Sequence, residues 1–221
     1  MTDNLDPKNL ANMDELEANP QNHERFLNIL RGRVSPKKLE LIDQAYNLAK
    51  YGHRNQFRDN GERYFEHCRQ TALILIEELG ITRYKLVIAA LLHDVIEDSY
   101  VVNRRTIKKL FGKKVARLVR TVTKPKKDDP RFSSDEERHD FYHQQIRNAE
   151  VDAMMIKFLD NLNNMRTRFD CTDEKQERKS TESIVHYVPL IPCVTAVYPI
   201  QGQYLQREFA KTLNSTSPPK P

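Results

Sequence analysis

Leu86-Val87-Ile88-Ala89-Ala90-Leu91-Leu92-His93-Asp94-Val95-Ile96-Glu97-Asp98 is the stretch on which the reading of this chain turns. Seven apolar residues in succession, without the alternation of a half-buried strand, predict a buried helix over about residues 83–98. Such a helix carries four titratable groups in six positions, 93–98. Taking ionisable groups out of water costs several kcal/mol each unless something compensates them. A divalent metal with bound water would do so. Two further candidate ligands stand out: His53, ending the helix-like LELIDQAYNLAKYGH, and Asp160, inside VDAMMIKFLDNLNNM. The pattern points to metal-dependent hydrolysis.

Adjacent His93 and Asp94 on a continuous helix point about 100° apart, so both reach one ion only if it lies over the face between them. The remaining positions must come from other helices. His53 lies 40 residues before His93 and Asp160 lies 66 after Asp94, room enough for separate helices to converge. Two imidazoles and two carboxylates, with no thiolate, suit Mn²⁺, Fe²⁺ or another octahedral-tolerant ion better than a structural zinc. Four protein ligands in a six-coordinate shell leave two positions for water and a substrate oxygen. Glu97 and Asp98 follow His93 and Asp94 by four residues, on the same helix face, placed to orient or deprotonate that water. Each residue also has a plainer reading. His53 suits a helix C-terminal dipole, Asp160 could pair with Arg166, and Glu97 and Asp98 could be solvated acids where the helix emerges.

Outward from this stretch the periodicity stays helical. Leu39, Ile42, Ala45, Leu48 and Ala49 recur at helical spacing from Pro36. RNQFRDNGE at 54–62 carries an Asn-Gly turn signal, and residues 64–79 return to helix until Gly80. A helical pair brackets Gly112. Residues 124–136 read as a long polar loop of the kind that binds ligands, followed by helices at about 137–148 and 150–166. Another runs from near Lys175 into Pro189. Residues 188–199 are apolar with three prolines and predict a packed irregular segment; an amphipathic helix follows over 201–213. The expected fold is all-α, a compact multi-helix domain over 23–213, with a flexible arm at 1–22 and a disordered tail at 214–221.

At 221 residues the chain can bury one good core, and 38% hydrophobic with 30% charged residues is a globular composition. Cys68, Cys171 and Cys193 form no CxxC pair, which argues against a disulfide framework and fits a reducing cytoplasm. No secretory signal and no membrane-spanning run is recognisable. The net charge of +5 is uneven: residues 1–20 carry −4 and the rest +9. A basic body suits polyanionic ligands such as nucleotides, as well as simple solubility. Twelve Lys or Arg lie in 104–131, but without interleaved aromatics for base stacking, so nucleic acid is not an expected partner.

The run His53-x-x-Gln56-x-Arg58-x-x-Gly61-x-x-Tyr64-x-x-His67, then AALLHDVIEDS, FGKKVARLVRTVTK, KFLDNLNNMRT and KQERKSTESIVHYVPL, resembles the HD hydrolase domain of the RelA/SpoT family, especially its free-standing small alarmone hydrolases. The resemblance covers roughly residues 36–190. It implies an HD-domain phosphohydrolase fold and Mn²⁺-dependent removal of pyrophosphate from the 3′ position of an alarmone nucleotide. His53, His93, Asp94 and Asp160 match the metal ligands, and Glu97 and Asp98 the acidic pair that activates water. Arg58, Asn164 and Thr167 match substrate-binding positions. His67 matches a histidine near the site or a structural hydrogen-bonder. His67-Cys68 stands where His-Pro is usual, and Arg63 replaces a proline. Asp59 replaces a basic residue, and Asp160-Asn161-Leu162-Asn163-Asn164 replaces Asp-Arg-Leu-His-Asn. With those changes the implied substrates are (p)ppGpp and/or (p)ppApp. The alternatives are another HD phosphohydrolase acting on nucleoside mono- or triphosphates, or a catalytically silent HD nucleotide- or RNA-binding module. A homo-oligomer, or pairing with a cognate alarmone synthetase, completes the expected partners.

Overall fold

Apolar residues at helical spacing recur along nearly the whole chain, and the computed structural model is helical accordingly; it describes residues 21–98 and 102–217, Asp98 by its backbone alone. Among these residues the extended pairing is limited to one isolated bridge, Phe57 with Arg63. The chain divides into two compact units.

The first unit holds residues up to 58 and 62–123. It comprises α1 (Gln21–Leu30), α2 (Pro36–Gly52), α3 (Tyr64–Leu73), α4 (Tyr84–Leu91), α5 (Val95–Asp98) and α6 (Arg104–Val122). Helix α4 is its axis, packed on α2, α3 and α6. Every residue from Leu86 to Leu92 is buried, each large side chain contributing about 1.5–3 kcal/mol by leaving water. Phe26 and Leu30 of α1, Ile42, Tyr46 and Leu48 of α2, and Ile107, Val115 and Leu118 of α6 complete the core.

The structure departs from the periodicity in three places. Helix α1 forms where an arm was expected to end, because Phe26 and Leu30, four residues apart, share one buried face. The helix expected over 83–98 breaks after Leu91: Leu92 takes φ −104° and ψ 8°, and residues 92–94 form a turn before α5. Here Val95 N–H bonds Leu92 O at 3.2 Å and Glu97 N–H bonds Asp94 O at 3.0 Å, the tighter i→i+3 pattern. The spacing that put Glu97 and Asp98 on the face of His93 and Asp94 assumed an unbroken helix, which this turn replaces. Gly112, with φ 86° and ψ 173°, separates the two halves of α6 where the sequence bracketed it, a conformation open to glycine.

The second unit holds residues 59–61 and those from 124 on. It contains α7 (Asp135–Arg147), α8 (Val151–Arg166), α9 (Asp173–Glu182), α10 (Ile191–Val197) and α11 (Pro199–Leu213). Here the third departure appears. Residues 188–199 are helical rather than irregular: a 3₁₀ turn at Val188–Leu190 leads into α10, with Pro189 and Pro192 in the opening positions of their elements, where the missing N–H is not needed. The arm expected over 1–22 lies outside the described residues as far as residue 20. Of the tail expected at 214–221, residues 218–221 lie outside them, and Ser215 O accepts a 2.7 Å bond from Arg168. No helix among the described residues is long and apolar enough to cross a membrane.

Helices α10 and α11 meet closely. A Cβ added at Gly202 would lie 2.6 Å from Thr195 Cα and nearer still to its Oγ1. Gly202→Ala should therefore cost about 1–3 kcal/mol through overpacking, read as a lower urea midpoint; an unchanged midpoint would show that the two helices separate freely.

His143 of α7 is buried and stacks on His186, ring centroids 3.6 Å apart. Burial, then the neighbouring His186 and the Lys157 and Lys124 ammonium groups, push His143 down to about 4, against the pull of Glu182. The neutral ring is thus the form the fold accommodates. Its contribution to stability is complete above pH 6.5 and is lost as pH falls toward 4, because the unfolded chain takes up the proton first. His143→Gln should flatten the fall in urea midpoint between pH 6.5 and 4. An unaltered slope would assign that loss to other groups.

Candidate metal centre

In the first unit the turn at 92–94 draws together two neighbours that a continuous helix would splay. His93 Nε2 lies 3.1 Å from Asp94 Oδ2. His93 Nδ1 lies 2.8 Å from Ala90 O. That oxygen can only accept, so Nδ1 carries the proton and Nε2 presents a lone pair. Helix α3 supplies His67, whose Nε2 is 3.3 Å from His93 Nε2 and 3.8 Å from Asp94 Oδ2. Tyr64, one turn earlier on α3, donates its hydroxyl to Asp94 Oδ2 at 2.8 Å. Two imidazole nitrogens from buried histidines and one carboxylate oxygen thus lie within 3.8 Å of one another. Carboxylate with imidazole is the donor set that divalent cations take.

His53 follows α2 beside this group. Its Nδ1 lies 2.6 Å from Gln56 Oε1, which fixes the proton on Nδ1. Its buried Nε2 has no hydrogen-bond partner, and its ring stacks on Tyr64 with centroids 4.9 Å apart. Burial lowers its pKa, with His93 and His67 adding to the effect and Gln56 and Asp94 opposing it. The ring is held neutral at neutral pH. The clustered ligand atoms include His67 and not His53. The signal for His67 lay in Tyr64-x-x-His67, three residues apart at the start of α3 and so on one face.

Glu97 is half-buried on α5, and Asp98 closes that helix. Arg58, also half-buried, donates its backbone N–H to Glu62 O at 2.8 Å across the turn that Gly61 makes at φ 81°.

In the second unit Asp160 is buried midway along α8. Lys157 donates to its Oδ2 and Asn164 to its Oδ1, both at 2.7 Å. These residues lie one turn before and after it on the same face. Burial works against the Lys157 ammonium, yet Asp160, with Tyr142, Tyr187 and Glu182, holds its pKa well above the usual lysine value. Asn164 thus orients Asp160. Thr167 caps α8, its hydroxyl donating to Asn163 O at 3.0 Å. The Asp59 carboxylate accepts from Lys175 at 2.5 Å; that bond first, then one from Cys171, lowers its pKa.

A family model described as HD domain matches residues 45–191. The GTP pyrophosphokinase of Streptomyces coelicolor is 34% identical over 187 residues, 82% of this chain and 22% of that protein. The guanosine-3′,5′-bis(diphosphate) 3′-pyrophosphohydrolase of Aquifex aeolicus is 36% identical over 157 residues, 70% of this chain and 22% of that protein. The chain thus spans about a fifth of the length of these relatives. A solved structure of a metazoan ortholog of SpoT, which hydrolyses ppGpp and plays a role in starvation responses, aligns with TM-score 0.59 and 27% identity. That alignment covers 81% of this chain and 94% of the other.

Proposed function

Because this chain belongs to the HD-domain family, as a domain of the RelA/SpoT type, we propose that it is a 3′-pyrophosphohydrolase of alarmone nucleotides, (p)ppGpp and/or (p)ppApp. The convergence of His67, His93 and Asp94 within a few ångströms carries this reading, supported by the similarity to a ppGpp-hydrolysing protein across nearly its whole length. His93 and Asp94 would hold the ion, taken to be Mn²⁺, with an imidazole from His53, the ligand the family resemblance implies, or from His67; Asp160 is the fourth ligand that resemblance implies. Such an ion polarises a phosphoryl oxygen and acidifies water.

The side chains divide the remaining work. Tyr64 and Ala90 fix Asp94 and His93 in orientation before any ion arrives. Lys157 and Asn164 do the same for Asp160. A Glu97 or Asp98 carboxylate oxygen takes the proton of the attacking water as it approaches the 3′ phosphorus. The Arg58 guanidinium stacks on the purine or pairs with phosphate, and Asn164 and Thr167 border the nucleotide. Basic side chains of the 124–131 loop offset the charge of the departing pyrophosphate. Substrate and product are small nucleotides of the cytoplasm. A homo-oligomer or a cognate alarmone synthetase remains the partner inferred from the family resemblance.

Incubating the protein with ppGpp, ppApp and NADPH, with and without Mn²⁺, should release pyrophosphate and a 5′-diphosphate nucleotide from one or both alarmones, only with the ion. Phosphate from NADPH alone, or triphosphate from ordinary nucleotides, would assign it to another branch of HD phosphohydrolases. Binding without turnover would make it a silent module.

A further inference from the structure

Helix α6 carries Arg104, Arg105, Lys108, Lys109, Lys113, Lys114, Arg117 and Arg120 and no acidic residue. All but Lys114 are exposed. Among the described residues the side chains of Arg104, Arg105, Lys108, Lys109, Lys113 and Arg120 make no hydrogen bond or ion pair. The arrangement is unfavourable on two counts. Arg104 with Lys108, Arg105 with Lys109 and Lys113 with Arg117 set like charges four residues apart, where they repel. Arg104 and Arg105 also stand in the first turn, at the positive end of the helix dipole, where a carboxylate is preferred. An anionic partner along this face relieves both.

The apolar side of α6 is spent on its own core, through Ile107, Phe111, Val115, Leu118, Val119 and Val122. The large exposed hydrophobic residues lie elsewhere in the chain. A lipid surface, which takes up an apolar face beside a basic one, therefore finds nothing here to bury. The face calls for charge alone.

We propose that the acidic segment 1–20 of this chain docks on the cationic face of α6. That segment contains Asp3, Asp6, Asp14, Glu15 and Glu17 against a single Lys8, and it leads directly into α1 of the same unit. Twenty residues span at most about 65–70 Å when extended, whereas a domain of about 100 residues has a radius of gyration near 13 Å. Reach is therefore no obstacle. Tethering presents the segment at an effective concentration on the order of millimolar, enough for a weak electrostatic contact to persist at moderate salt. The docked segment screens α6 from larger polyanions.

Zero-length carbodiimide cross-linking of the full chain tests this. The expected products join Asp3, Asp6, Asp14, Glu15 or Glu17 to Lys108, Lys109 or Lys113 within one molecule, and they fade at 0.5 M salt, where the screening length falls to about 4 Å from about 30 Å at 0.01 M. The Asp59–Lys175 pair, in contact at 2.5 Å, is the internal control for reagent access. Cross-links from these acids only to other lysines, or only between differently labelled molecules, would overturn the proposal, the latter in favour of a second copy as occupant. A second measurement uses a variant with Asp3→Asn, Asp6→Asn, Asp14→Asn, Glu15→Gln and Glu17→Gln. It should bind a short RNA duplex at low salt at least about tenfold more tightly than a variant of equal net charge with Glu136→Gln, Asp140→Asn, Asp173→Asn, Glu174→Gln and Glu177→Gln, all exposed. Equal binding by the two proteins would show the α6 face to be open, and would overturn the proposal as well.

Discussion

Asp94→Asn is expected to abolish hydrolysis, by at least about 10³-fold, with an equivalent loss of about 4 kcal/mol of transition-state stabilisation. The substitution keeps the shape of the side chain and still offers an oxygen to the Tyr64 hydroxyl, now 2.8 Å away. What it removes is the negative charge between two imidazole nitrogens, at 3.1 Å from His93 and 3.8 Å from His67. Manganese binding, followed by calorimetry on the same preparation, should fall with the activity, while the helical circular dichroism stays. Full turnover by Asp94→Asn would remove the centre from the reaction. Loss of turnover with undiminished Mn²⁺ affinity would leave Asp94 in the chemistry but not in the ligand set.

Lys157→Met should lower stability by about 3 kcal/mol, the usual cost of breaking a largely buried ion pair from one side. Asp160 is 4% exposed, so its carboxylate cannot turn to water when the 2.7 Å contact is lost. Lys157 also lies 5.4 Å from the centres of the Tyr142 and Tyr187 rings, whose faces favour a cation over a thioether. The double variant Lys157→Met with Asp160→Asn should recover much of the loss, since no charge then remains unpaired. Urea unfolding of the two variants beside the unaltered chain gives the comparison. A neutral single variant would show that Asn164 alone supports the carboxylate.

The helical architecture was legible because burial imposes a period that sequence displays directly: Leu39, Ile42, Ala45 and Leu48 predicted α2, and Gly112 marked the division of α6. Three features escaped for physical reasons. The turn at Leu92–Asp94 has apolar residues on either side, so periodicity runs through it unbroken, although the backbone does not. Helix α10 hid behind prolines, which break helices in their interior and start them at their first turn. Lys157 looked like any lysine on an amphipathic helix, and only the three-residue step to Asp160 hinted at a pair. At the centre itself, residue types pointed to a cation, and His93 with Asp94 stood out at once. His53 was read as the ligand and His67 as its neighbour, whereas His67 Nε2 lies 3.3 Å from His93 Nε2, a closeness set by the packing of α3 rather than by spacing.

The lone nitrogen of His53, sealed from solvent with nothing to bond, has a bearing on how long the protein lasts. A buried polar atom left without a partner costs about 1–3 kcal/mol. An ion bound only by the folded form returns about 2.7 kcal/mol at a hundred times its dissociation constant. A cation held beside His53 would therefore act as a staple on the folded chain, and added Mn²⁺ should raise the urea midpoint.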